Sequence, residues 1–146
     1  MFAGGEKMAV CNHFEYISKY PSNSCDEKRT AGAMHKRLAE IARQNGAPIE
    51  MIQQDIPEQK IECEKGATQK VPNYVARIPG GPAKQKIVLS FHMDCENAEP
   101  DIPVKIVDGK YVRQSIDGRK AELCADDLAG AAIIVAAVEK LLAQLE

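Results

Sequence analysis

Apolar residues recur at helical spacing near the start of the chain, at Val10, Phe14 and Ile17, in a stretch from Met8 to Tyr20 that Pro21 ends. A second helix is expected to start at Ser24-Cys25-Asp26-Glu27, which has the S-x-x-E form of a capping box, and to run to about Gln44. Met34, Leu38 and Ile41 form its inner stripe, and Asn45-Gly46 supplies a left-handed stop. After Pro48 the period shortens. Ile49-Glu50-Met51-Ile52 reads as a short strand, Tyr74 to Ile78 alternates like a half-buried one, and Pro79-Gly80-Gly81-Pro82 marks a turn. Pro57 to Gly66 is polar and has no clear period. Ile87-Val88-Leu89-Ser90-Phe91 is an almost unbroken apolar run, expected as a strand buried on both faces. Val104 to Val107, Asp108-Gly109 and Lys110 to Val112 spell a hairpin with a two-residue turn. The stretch from Asp126 to Leu145 is helical, with Leu128, Ala131, Ala132, Val135, Val138, Leu142 and Leu145 on one wide face. Such a face is expected to lie against a sheet.

These elements give an α/β fold in which helices flank a mixed sheet. The 146 residues suffice for one domain with a core. A net charge of -2 with both signs interspersed gives no nucleic-acid or membrane-surface footprint. Trp is absent and aromatics are few, which removes stacking platforms for single-stranded nucleic acid. No apolar run reaches transmembrane length, and Met1 to Lys7 lacks the apolar core of a signal peptide. Cys11, Cys25, Cys63, Cys95 and Cys124 are odd in number and widely spaced, with no C-x-x-C pair. The expectation is reduced thiols in a cytoplasmic protein, with neither a disulfide framework nor a zinc knuckle.

The candidate chemistry lies where the apolar run ends. His92 and Asp94 stand at i and i+2, so on an extended chain their side chains share a side. One can bind a metal while the other fixes the imidazole from behind. Asp126, at the start of the last helix, is favoured in its ionised form by the helix dipole, and one carboxylate can bridge two cations. Strand ends facing helix starts are where open α/β folds place ligands. Each motif alone is ordinary: a single H-x-D arises by chance, and an Asp-Asp pair before a helix is usually an N-cap.

In combination the motifs resemble a known family. S-F-H-M-D, then D-G-K-Y-V, then S-I-D-G-R-K-A-E-L-C-A-D-D-L-A-G-A-A are similar to the motifs of the peptidase T-like di-zinc aminopeptidases, which are related to carboxypeptidase G2. That family's usual motifs are H-M-D-T and L-G-A-D-D-K-A-G. Phe14-Glu15-Tyr16-Ile17, then Pro21-Ser22 with Glu27, resembles its first helix and the start of its second. Pro72-Asn73-Tyr74-Val75-Ala76 resembles the strand ahead of its metal strand. The resemblance implies a zinc-exopeptidase catalytic domain in which His92 ligates one zinc, Asp126 bridges two, and Asp94 is the catalytic carboxylate that orients His92. Asp127 belongs to the motif in a structural role. Zinc is the implied metal, and cobalt or manganese also suits such an N/O site. The implied substrate is a short peptide losing its N-terminal residue, and the implied full-length assembly is a homodimer.

The chain departs from the family pattern at Cys95 for Thr, Cys124 for Gly and Leu128 for Lys. The two cysteines are expected as small half-buried fillers; the sharper alternative is that they compete for zinc or oxidise together. After Asp126 only twenty residues remain, with no Glu-Glu pair for the general base and no distal histidine. His13 and His35 fall in the predicted N-terminal helices as core or surface residues. Residues 1–146 are therefore expected to be the N-terminal part of a catalytic domain, without the inserted dimerisation domain and the C-terminal part, and with little or no activity alone. An amidohydrolase of acylated amino acids would share every one of these residues. A non-catalytic fragment with a decayed metal site is the other alternative.

Overall fold

The apolar stripes from the two ends of the chain meet one another. The computed structural model describes residues 4–23, 26–55, 61–62, 68–69, 72–79, 86–95, 98, 102–113 and 122–144. Helix α1 spans Gly4–Ile17, α2 Lys28–Gln44 and α3 Ala125–Leu142. Phe14 and Ile17 of α1, Met34, Leu38 and Ile41 of α2, and Leu128, Ala131, Ala132, Val135 and Leu142 of α3 form one buried cluster. Burying each of the larger side chains stabilises the fold by about 1.5–3 kcal/mol before chain entropy is counted. The wide face of α3 thus lies on α1 and α2 rather than on the sheet expected for it.

Among the described residues the strands form four separate two-stranded ladders. β1 (Ser22–Asn23) pairs in parallel with β6 (Asp94–Cys95). β2 (Glu50–Gln54) and β5 (Asn73–Arg77), β3 (Ile61–Glu62) and β4 (Thr68–Gln69), and β7 (Val104–Val107) and β8 (Lys110–Arg113) pair antiparallel. The fold is helices with small sheets of both senses. Asp108 and Gly109 both have positive φ, as the two-residue turn of the β7–β8 hairpin requires. Tyr111 anchors that hairpin on α1, its ring edge-on to Phe14 at 5.1 Å and its hydroxyl donating to Glu15 at 3.1 Å.

The apolar run before His92 does not form the buried strand expected of it. Residues 86–93 belong to no strand, and Ile87 and Val88 are 83% and 87% exposed. A strand with apolar residues on both faces needs a pairing partner and a covering layer on each side. Among the described residues no element supplies them. The turn at 80–82 lies outside the described residues.

Helix α2 also begins differently. Its first helical residue is Lys28, and Glu27 makes no side-chain cap; Ser24 and Cys25 of the expected capping box lie outside the described residues. Ser22 does the work from a distance, accepting the Thr30 amide at 3.0 Å, while the Thr30 hydroxyl donates to the Tyr20 carbonyl at 2.8 Å. The C-terminus ends as the sequence predicts. Gly46 has φ +61, and the Ala47 amide reaches back to the Ala42 carbonyl at 2.9 Å.

A polar contact joins all three helices. His13 is buried; Arg37 Nε–H of α2 donates to its Nδ1 at 3.1 Å, and its Nε2 lies 3.0 Å from Glu139 of α3. With Nδ1 accepting, Nε2 carries the hydrogen and donates it to the carboxylate. Burial pushes the His13 pKa below its ordinary value and outweighs the upward pull of Glu139. His35 is exposed. No helix among the described residues is long and apolar enough to cross a membrane.

Candidate metal centre

Three contacts between residues distant in sequence place the His-Met-Asp segment. Ser22 pairs with Asp94 and Asn23 with Cys95 in the β1–β6 ladder, and Ser22 is itself tied to the first turn of α2. Asn23 Oδ1 then accepts the Ala98 amide at 2.9 Å, holding the chain just after β6. The third is a disulfide between Cys95 and Cys124, whose Cα atoms are 5.5 Å apart. This overturns the expectation of reduced cysteines acting as fillers. The two residues are 29 positions apart in sequence, but β6 and the start of α3 bring them face to face. Cys11 is unbonded.

Across this link the side chains converge. His92 Nδ1 lies 3.1 Å from Asp94 Oδ1, and His92 Nε2 lies 3.1 Å from Asp126 Oδ1. The i, i+2 relation thus places the carboxylate behind the imidazole, and the residue thirty-four positions away faces its other nitrogen. The site is open: the side chains of His92 and Asp126 are 52% and 96% exposed. Partial desolvation is the largest single influence on His92 and lowers its pKa. The hydrogen bond and charge of Asp126, together with those of Asp94, outweigh it and hold the imidazole above its ordinary value.

The Asp126-Asp127 pair divides its work. Both residues have non-helical backbone angles, so the regular helix starts at Leu128. The peptide between them is cis. Asp127 Oδ1 accepts the Gly130 amide at 3.2 Å, an N-cap contact, while Asp126 turns toward His92. Asp126 therefore precedes the helix rather than opening it. A Cβ at Gly130 would run into the Asp127 carboxylate, so the cap and the glycine are fitted to each other. Leu128, where the resembled motif carries lysine, is fully buried in the core.

The donor set fits part of a metal site. Two ligand atoms about 2.0–2.1 Å from a tetrahedral zinc stand about 3.3 Å apart. The 3.1 Å between His92 Nε2 and Asp126 Oδ1 matches one such edge. Among the described residues no group of three or more His, Cys, Asp or Glu side chains gathers to hold a metal ion. The structure brings together the sequence candidates His92, Asp94 and Asp126 and adds Ser22 and Asn23, which no local motif marks; the pairing of Cys95 with Cys124 follows the alternative in which the two oxidise together. The signal available for the cysteines was their place beside the two ligand motifs. Comparison with family models, with curated protein sequences and with solved structures finds no match to this chain.

Proposed function

We propose that this chain carries one edge of a two-metal hydrolytic centre acting on the N-terminal amide of short peptides. The observation that carries the reading is the imidazole of His92 held between two carboxylates, Asp94 at Nδ1 and Asp126 at Nε2, each at 3.1 Å. His92 would hold a divalent cation through Nε2 and Asp126 through its carboxylate. When bound, zinc lowers the pKa of a water toward neutrality and polarises the scissile carbonyl. Asp94 accepts the Nδ1 hydrogen, which fixes the tautomer, leaves the Nε2 lone pair free for the cation and raises its basicity. Asp126 brings its carboxylate close to Nε2, and Asp127 holds the helix start so that Asp126 stays directed there.

Titration of the 146-residue chain with Co2+, followed by its visible absorption, tests the reading. Binding that His92→Ala and Asp126→Asn abolish, and that Asp94→Asn weakens by about 10- to 100-fold, supports it. No binding, or binding indifferent to these substitutions, refutes it. Two ligands do not close two zinc sites. Turnover of tripeptides by the isolated chain is therefore expected to be absent or very weak. The second reading, a non-catalytic fragment with a decayed site, is favoured by one observation: Leu128 serves the core at the motif position for lysine. Metal analysis separates the two, since a decayed module holds no stoichiometric zinc.

A further inference from the structure

The two segments that bear the candidate ligands are joined by a single covalent bond. Cys95 directly follows Asp94 in β6, and Cys124 lies two residues before Asp126. Both cysteines are buried. The remaining backbone pairing is slight. The β1–β6 ladder is two residue pairs long, and residues 86–93, which lead into it, lie in no strand. On the other side, Cys124 has φ +57, in the left-handed region. A non-glycine residue stays there when its surroundings over-determine it, and the bond to Cys95 is such a constraint.

We propose that the Cys95–Cys124 disulfide is a thiol-responsive latch that holds His92 against Asp126; its effect on metal binding rests on the reading of these two residues as one site. The bond shortens the path between them to Met93, Asp94, the two cysteines and Ala125. Opening it leaves the His92 segment held by the two-pair ladder, the Asn23–Ala98 contact and the packing of Phe91 on the core, and removes the covalent constraint on the left-handed conformation of Cys124.

The chemistry is thiol–disulfide exchange. A thiolate of a small dithiol attacks one sulfur, forms a mixed disulfide with it and releases the other cysteine, which takes a proton. The second thiol of the reagent then displaces the first cysteine and closes its own disulfide. Two electrons and two protons enter the protein, and the dithiol is the species oxidised. A low-molecular-weight disulfide reverses the exchange and is itself reduced to two thiols.

The test compares the oxidised chain, the dithiol-reduced chain and Cys95→Ser/Cys124→Ser. Differential alkylation with peptide mapping reports the bond. Hydrogen exchange by mass spectrometry reports segments 86–95 and 122–127, with α1 as the internal reference, and Co2+ titration reports the site. The expected result is a bonded Cys95–Cys124 pair and, on reduction, at least tenfold faster exchange confined to the two segments. Cobalt affinity is expected to fall about tenfold, in the range seen when support around a ligand is lost. The serine variant should match the reduced chain and ignore the dithiol. Faster exchange without cobalt binding in either state upholds the latch and overturns the metal reading. Unchanged exchange on reduction, an equal response in the serine variant, or failure to form the bond with a low-molecular-weight disulfide overturns the latch.

Discussion

Removing the Cys95–Cys124 bond should lower thermal stability by an amount set by the loop it closes. The cysteines are 29 positions apart. Cross-linking a loop of that length removes about 12 cal/mol/K from the unfolded chain, or about 3.6 kcal/mol at 25 °C. At roughly 2.1 cal/mol/K per residue, a chain of 146 residues unfolds with an entropy of about 0.3 kcal/mol/K, so Tm falls by about 12 °C. The backbone at position 124 provides a second, smaller figure. Its φ of +57 costs a side-chain-bearing residue about 1–2 kcal/mol. Glycine would relieve that strain but adds freedom to the unfolded chain worth about 0.4–1 kcal/mol. Cys95→Ser/Cys124→Gly should therefore be more stable than Cys95→Ser/Cys124→Ser by roughly 0.5 kcal/mol, or about 2 °C. Scanning calorimetry of the oxidised chain and both double variants, each with and without dithiol, reads these values. Oxidised chain and double-serine variant melting within about 2 °C of each other would refute the loop-closure reasoning.

Three further outcomes are expected. Gly130→Ala should displace the Asp127 carboxylate from the Gly130 amide and reduce stability by about 1 kcal/mol in urea unfolding, whereas Gly32→Ala, with nothing near its Cβ, should be neutral or stabilising. His13 has a folded pKa below the ordinary 6.5, so its contribution is fully present above that pH and is lost as pH falls from 6.5 toward the folded value; between pH 8 and pH 5 the urea midpoint of His13→Gln should therefore fall less, or rise more, than that of the unsubstituted chain. His92 is shifted the other way, and its side-chain NMR resonances in the metal-free chain should titrate above 6.5; in Asp94→Asn/Asp126→Asn the midpoint should fall to 6.5 or lower, and an unchanged midpoint would show that the two carboxylates are not its neighbours.

What could be read from the chain follows from the range of the interactions. The three helices, the Asn45-Gly46 stop and the Asp108-Gly109 hairpin are local, and their periods and turn residues specify them wherever the rest of the chain goes. The meeting of His92 with Asp94 is local too, since two residues on an extended chain share a side. Its meeting with Asp126 spans thirty-four positions and was legible only through the likeness of several motifs taken together. The strand expected at Ile87 to Phe91 fails for the complementary reason. Apolar composition records that a segment suits a buried strand, but partners on each side make the burial, and the described residues provide none. The disulfide was legible only as an alternative, from the place of Cys95 and Cys124 beside the two motifs, because sequence spacing carries no information on the 5.5 Å that brings them together. Capping was half legible: Asp127 was recognisable as a helix start, whereas Ser22 acts on Thr30 from across a turn that no local motif encodes.

The contact of Arg37, His13 and Glu139 has a consequence for how the helices can slide. The buried face of α3 includes alanines, Ala131 and Ala132, whose small side chains resist axial displacement weakly. A shift by one turn would carry the His13 imidazole about 5.4 Å from both of its partners and strand two hydrogen-bonding nitrogens in an apolar interior. One polar pin thus selects a single alignment from several that the greasy surfaces alone would tolerate. Because Glu139 and Asp127 share α3, that choice of alignment also sets the height at which Asp126 is presented to the imidazole at position 92.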